Sequence, residues 1–310
     1  MKLTVGTDGM FQKIGDALAH AQTHTGEEIT IHISPGTYHE KLEIRQEGLI
    51  LEGENAADTI ITYDDAANDI LPDGDKRGTF RSYTLLADAP RIQLRNLTIE
   101  NGAALREHVE QAIALYAEGE GIVVSDCRLL GAQDTLFTGP LPPKEVIPGG
   151  FKGPKEFAPR INGRQLYRHC YICGTVDFIF GSATAYFEDC TLHSLGRPLG
   201  YVTAGSSPEG QEYGYVFSHC RFTGDAPEGS IYLGRPWRDY ARVVILDSEL
   251  GAHIRPEGWH DWGKEAAHGT VFFAEYGNSG PGAAGKRADW CHCLTQEEAA
   301  GYTRRNVLGW

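Results

Sequence analysis

Six short segments of the chain share one pattern: "RNLTIEN" from Arg95, "SDCRLLG" from Ser125, "RHCYICG" from Arg168, "EDCTLHS" from Glu188, "SHCRFTG" from Ser218 and "LDSELGA" from Leu246. Their third position holds Leu97, Cys127, Cys170, Cys190, Cys220 and Ser248, and their fifth Ile99, Leu129, Ile172, Leu192, Phe222 and Leu250. The second is Asn, Asp or His in every copy. Positions three and five face one side of a strand and alternate with mostly polar residues, so each copy reads as a short strand with one buried face. Successive third positions lie 30, 43, 20, 30 and 28 residues apart. Irregular repeats in this range predict a solenoid, because one copy cannot bury its apolar face alone. The expected fold is all-β: a right-handed parallel β-helix whose rungs stack four cysteines into one interior column.

A solenoid needs its open ends covered. "MFQKIGDALAHA" places Phe11, Ile14, Leu18 and Ala21 on one helical face. "TQEEAAGY" sets Thr295 three residues before Glu298, a capping-box pattern. A short N-terminal capping helix and a C-terminal helical tail are therefore expected on a single domain spanning 1–310. One stretch breaks the rhythm. "GPLPPKEVIPGGFKGPKEFAPR", residues 139–160, holds six prolines and four glycines and reads as a loop insertion that explains the 43-residue step. A solvated surface loop and a functional lid both fit it.

Composition narrows the partners. The formal net charge is −14, which argues against nucleic acid and against anionic membrane surfaces. No apolar run is long enough for a membrane span. "MKLTVGTDGM" has no apolar signal core, and seven cysteines cannot all pair internally. Reduced thiols in a cytoplasm are the simpler expectation, with secretion the alternative if a leader was removed. Cys170 and Cys173, with Cys291 and Cys293, could suggest zinc, but Cys170 belongs to the strand repeat. Buried cysteine acting as a small apolar residue is the better reading, and no metal is expected.

Two aspartates stand out. Asp134 lies in "GAQDTLFTG" and Asp177 in "GTVDFIFGSA", where Val176, Phe178, Ile179 and Phe180 surround it. A carboxylate in such a run is costly unless paired, hydrogen-bonded or used. With "QAIAL" (111–115), "LGRPW" (233–237) and "PGTYHE" (35–40), they form a set that stacked rungs could bring together. That set suits acyl transfer from an ester. One carboxylate can attack, two amide donors can hold an oxyanion, and a second carboxyl can protonate the leaving alcohol. An arginine can keep the first carboxylate ionised, and a tryptophan offers a flat face to a sugar. Buried Asp and Gln that merely tie turns together remain the alternative for any one of these residues.

"GTVDFIFG", "QDTL" and "LGRPW", supported by "RQLYRHC" and "GWHDW", resemble the pectin methylesterase (pectinesterase) family over nearly the whole chain. The resemblance implies a cofactor-free carbohydrate esterase that hydrolyses methyl esters of galacturonate in pectin or its oligomers. It implies Asp177 as nucleophile, Asp134 as acid and then base, Gln111 and Gln133 as the oxyanion hole, and Arg235 as the partner of Asp177. Trp237 would line the sugar site, and Val176, Phe180 and Thr79 would contact substrate. "TAGSS" at 203–207 departs from the Thr-Ala-Gln-Gly-Arg of many members, and the 139–160 insertion is longer than in compact plant-type members. Both leave substrate length open.

Other classes fit less well. Acyl-CoA thioesterase-like relatives share the fold, but "LGRPW" favours sugar. Glycosidases also pair carboxylates, yet amide donors beside an arginine suit an oxyanion better. No Gly-x-Ser-x-Gly is present for a serine hydrolase. A non-enzymatic β-helical carbohydrate-binding protein would bind without releasing methanol.

Overall fold

The computed structural model describes residues 1–24, 26, 28–106 and 109–310. Among them, strands form three parallel sheets of eleven, seven and eight strands. The complete rungs in the middle of the stack each give one strand to each sheet, and the end rungs are partial. Ile122–Ser125 joins the eleven-stranded sheet, Arg128–Leu130 the eight-stranded and Leu136–Thr138 the seven-stranded. The next rung repeats this with Arg164–Arg168, Tyr171–Gly174 and Ile179–Gly181. The parallel β-helix expected from the repeat is what forms.

The invariant Asn, Asp or His at the second repeat position has a backbone cause. Asn96, Asp126, His169, Asp189, His219 and Asp247 all adopt φ between 47° and 55°, the left-handed region. These residue types tolerate it several-fold better than others. Each sits at the corner between the eleven- and eight-stranded sheets, and its N–H reaches the next rung: Asp126 N–H donates to the Arg168 carbonyl at 3.0 Å and Asp189 N–H to Ser218 at 3.1 Å. The residue that follows then turns inward. Cys127, Cys170, Cys190 and Cys220 are free and at most 2 % exposed, stacked between Leu97 and Ser248. Burial pushes the Cys127 and Cys190 thiols well above the ordinary range, which suppresses thiolate chemistry. Beside this column Tyr167, Phe187 and Phe217 stack rung upon rung at centroid spacings of 4.7 and 4.5 Å.

A serine already stands in the column. Ser248 Oγ donates to the Leu246 carbonyl, two residues back, at 2.8 Å and accepts from Cys220 N–H at 3.0 Å. Cys190→Ser is therefore expected to destabilise by only about 1 kcal/mol, the low end for a buried hydroxyl, because the same backward bond is open to it. Denaturant unfolding of purified Cys190→Ser checks this; a loss of about 3 kcal/mol would mean the hydroxyl finds no acceptor.

The N-terminal helix Ile14–Gln22 buries Ile14, Ala17, Leu18 and Ala21. The Glu40 carboxylate accepts from the N–H groups of Ile14 and Gly15 at 2.9 Å each, satisfying two donors of its first turn. Thr295 and Glu298 form the expected capping box on Gln296–Ala299. The tail, however, does not close the far end. Helix Arg304–Leu308 folds back onto strands Thr184–Glu188 and Arg164–Arg168. Its Val307 and Leu308 cover Leu166, Tyr186 and Val216 on the outer face of the eleven-stranded sheet. That apolar outer face, which a plain solenoid would leave in water, is what recruits the tail. Among the described residues no helix is long and apolar enough to cross a membrane.

Candidate active site

The site lies on the outer face of the seven-stranded sheet, where chain arriving from the eight-stranded sheet enters it. Gln111 precedes strand Leu115–Ala117, Gln133 and Asp134 precede Leu136–Thr138, and Asp177 precedes Ile179–Gly181. These are successive rungs. Gln111 and Gln133 are bridge partners, and Asp134 N–H donates to the Val176 carbonyl at 3.1 Å. Asp134 and Asp177 adopt φ of 65° and 50°, a cost that aspartate bears better than most residues. Two rungs beyond Phe180, in register through Ala204, stands Arg235.

These residues line one cavity of about 460 Å³, with Thr79, Phe80, Phe180, Ala204, Trp237, Arg238 and Trp262 also on its walls. Asp134 and Asp177 are buried. Arg235 grips Asp177 with both arms: Nε donates to Oδ1 at 2.9 Å and Nη2 to Oδ2 at 2.7 Å. The guanidinium is itself held between two rings, 3.9 Å from the Tyr201 centroid and 3.7 Å from that of Trp262.

The two carboxyls differ in what surrounds them. Burial raises the pKa of both. At Asp177 the bidentate arginine opposes burial, through two charge-assisted hydrogen bonds worth about 1.5–3 kcal/mol each. At Asp134 the charge of Asp177 adds to burial, Arg235 offsets only part of it, and the pKa stands well above the ordinary value. Among the described residues nothing hydrogen-bonds the Asp134 carboxyl. The arrangement therefore favours an ionised Asp177 beside a protonated Asp134. Gln111 and Gln133 are half-buried at the cavity wall, and among the described residues neither carboxamide has a hydrogen-bond partner.

Of the sequence-derived set, Asp134, Asp177, Gln111, Gln133, Arg235, Trp237, Phe180 and Thr79 all reach this cavity. Val176 does not line it; its carbonyl accepts the Asp134 N–H. Phe80, Tyr201, Arg238 and Trp262 went unrecognised. Trp262, inside "GWHDW", and Phe80, inside "GTFRSYT" beside Thr79, lay within stretches already marked. Among the described residues no group of three or more His, Cys, Asp or Glu is placed to hold a metal ion.

A family model for pectinesterase matches residues 2–140 and 160–309. Pectinesterase 31 of Arabidopsis thaliana is 31% identical over 308 residues, covering 97% of this chain and 89% of that protein. Probable pectinesterase/pectinesterase inhibitor 35 of Arabidopsis thaliana is 33% identical over 307 residues, and there the chain spans only 51% of the relative's length. Among solved structures, pectin methylesterase PemA from Erwinia chrysanthemi superposes with a TM-score of 0.80 at 30% identity, covering 99% of this chain and 97% of that one. Pectin methylesterase from carrot gives 0.83 at 28% identity over 99% and 92% of the two chains. With this coverage, and with a parallel β-helix that brings Gln111, Gln133, Asp134, Asp177 and Arg235 to one cavity, the chain belongs to the pectinesterase family of carboxylic ester hydrolases.

Proposed function

We propose that the chain, acting as one β-helical unit, hydrolyses methyl esters of galacturonate in pectin or its oligomers, with Asp177 as nucleophile. The observation that carries this reading is the unequal pair of buried carboxyls, one clasped by Arg235 and the other left to its proton. A pectin methylesterase solved in complex with a hexasaccharide, which superposes on this chain with a TM-score of 0.80 at 29% identity, supports a saccharide in the cleft.

The steps balance. An Asp177 oxygen attacks the ester carbonyl carbon, and the carbonyl electron pair moves onto oxygen. The N–H groups of Gln111 and Gln133 stabilise that oxyanion. Its collapse breaks the bond to the methoxy oxygen, which takes the Asp134 proton and leaves as methanol. The charge on Asp177 vanishes as the acyl bond forms, so the field that held the proton on Asp134 weakens when the proton is needed. Asp134, now a carboxylate, takes a proton from water, whose oxygen attacks the acyl carbon. The second tetrahedral adduct collapses by breaking the acyl bond to the Asp177 oxygen, which regains its negative charge; Asp134 keeps the proton taken from water, and the galacturonic acid leaves and ionises in solvent. Trp237, with Phe80 stacked beside it at 6.4 Å and 22°, offers the flat surface for a pyranose.

Methanol release from methyl-esterified oligogalacturonides of graded length tests the reading. Hydrolysis of acyl-CoA without methanol release from pectin would instead favour the thioesterase-like alternative. The cytoplasmic location expected from the sequence gains no support from the pectinesterase relatives. We place the enzyme outside the cell, with its polymer; the native product is to be assayed in medium and in cytosol.

The pH profile follows from the same pair. Rate is expected to fall on the acid side as Asp177 takes a proton. Arg235 opposes that protonation, so Arg235→Ala should move the acid limb of kcat/KM to higher pH. An unmoved limb, measured on the residual activity, would mean the guanidinium does not set the ionisation of Asp177.

A further inference from the structure

The family match stops at residue 140 and resumes at 160. The 141–159 stretch so bypassed is built into the cleft. Its Glu145, Val146, Ile147, Gly150 and Phe151 line the cavity that holds Asp134 and Asp177. We propose that this insertion makes the cleft prefer a methyl-esterified over an unesterified galacturonate beside the reacting sugar. The proposal rests on the esterase reading above.

The insertion is a fixed wall. Leu141 and Phe151 are buried in the aromatic cluster over the seven-stranded sheet. Phe151 meets Phe80 edge-on at 5.7 Å and Trp237 at 6.2 Å. Gly153 passes so close that a Cβ there would stand 2.9 Å from the Phe80 Cβ. The Arg160 guanidinium donates to the carbonyls of Pro142, Lys155, Glu156 and Ala158, drawing the loop together. Lys155 anchors it to Asp88 at 2.5 Å. From across the cleft, Arg238 Nη2 donates to the Lys144 carbonyl at 3.0 Å.

The insertion's own share of the wall is acidic and apolar. Glu145 accepts from the N–H groups of Gly149 at 3.0 Å and Phe151 at 3.4 Å, which fixes its carboxylate at the cavity. Val146 and Ile147 beside it are 78% and 72% exposed. Two lysines of the insertion are drawn away, Lys152 to Asp75 and Lys155 to Asp88. Of the two arginines on the cavity wall, Arg235 is paired with Asp177, whereas Arg238 directs its N–H groups to the neutral carbonyls of Lys144 and Trp237 and has no salt bridge among the described residues. A methyl ester at this wall meets apolar carbon. A free carboxylate meets the like charge of Glu145, which is exposed, so the repulsion is modest and weakens with salt.

The test compares fully methyl-esterified with unesterified trigalacturonate, by calorimetric binding and by methanol release from the ester. Glu145→Lys is expected to tighten binding of the unesterified trimer at least about tenfold relative to the ester. Glu145→Gln should do so about threefold, and its binding of the unesterified trimer should depend less on salt than the wild type's. That difference separates Glu145 from the overall −14 charge, which acts on both proteins. An unchanged ester-to-acid ratio in both variants, with methanol release intact, overturns the proposal. Wild-type protein that releases no methanol from any ester overturns the esterase reading and this proposal with it.

Discussion

Asp177→Asn is expected to lower methanol release by about 10⁴-fold or more, with the fold retained. An amide oxygen is a poor nucleophile, and the side chain it replaces is the one carboxylate in the cleft that an arginine holds with both arms. Asparagine keeps the size of aspartate and can still accept from Arg235, so lost activity would not reflect a collapsed site. A purified, folded Asp177→Asn with full activity would remove the nucleophile assignment. Asp134→Asn should also lose activity while gaining stability. The Asp134 pKa is raised on folding. The unfolded chain therefore releases this proton first as pH rises above about 4, and stability falls until pH passes the folded value. The amide escapes that loss. The Tm of Asp134→Asn should exceed the wild type's at pH 7, by a margin that shrinks toward pH 4. A margin independent of pH would show that the carboxyl does not titrate as its surroundings imply.

Gln133→Ala is expected to cost about 10²–10³ in kcat with little change in KM, the usual loss for one oxyanion donor. The Gln133 carboxamide, without a protein partner among the described residues, stands on the rung between Gln111 and Asp177. A donor that binds charge only as it develops should affect the chemical step rather than ground-state binding. Gln111→Ala should give a loss of the same kind. Single-turnover methanol release separates the two parameters. A change confined to KM would make these glutamines sugar contacts instead.

The sequence carried the fold because stacking is periodic. Six copies of one turn, each with Asn, Asp or His where the backbone becomes left-handed and an inward Leu, Cys or Ser after it, leave few alternatives to a parallel solenoid. The aspartates were legible for a related reason: a charge inside an apolar run is an anomaly that needs a use. What adjoins across rungs was less legible. Tyr201 and Trp262 are separated from Arg235 in sequence, yet they enclose its guanidinium. Arg238 is adjacent to a marked tryptophan, but its bond to Lys144 exists only once the insertion folds across the cleft. Val176, read as a substrate contact from its place beside the nucleophile, does not line the cavity, and its carbonyl accepts from Asp134 N–H.

The two ends and the insertion divide most clearly. Helical periodicity in residues 10–21 and the Thr295–Glu298 box were local signals; the box formed where it stood, and the helix formed from Ile14, with Phe11 left outside it and bridged to Val5. Where the C-terminal helix docks was decided by the apolar outer face of the eleven-stranded sheet, a surface assembled from strands of several rungs. In residues 139–160, prolines and glycines announced a loop but not its side or its contacts. Those were set by the exposed aromatic face over the seven-stranded sheet, which Leu141 and Phe151 cover, and by Asp88, which receives Lys155. Local sequence thus determined the rungs, their corners and the charged anomalies, because each depends on residues near one another in the chain. Tertiary structure alone decided which surfaces needed covering, and so what walls the cleft and which side chains meet there.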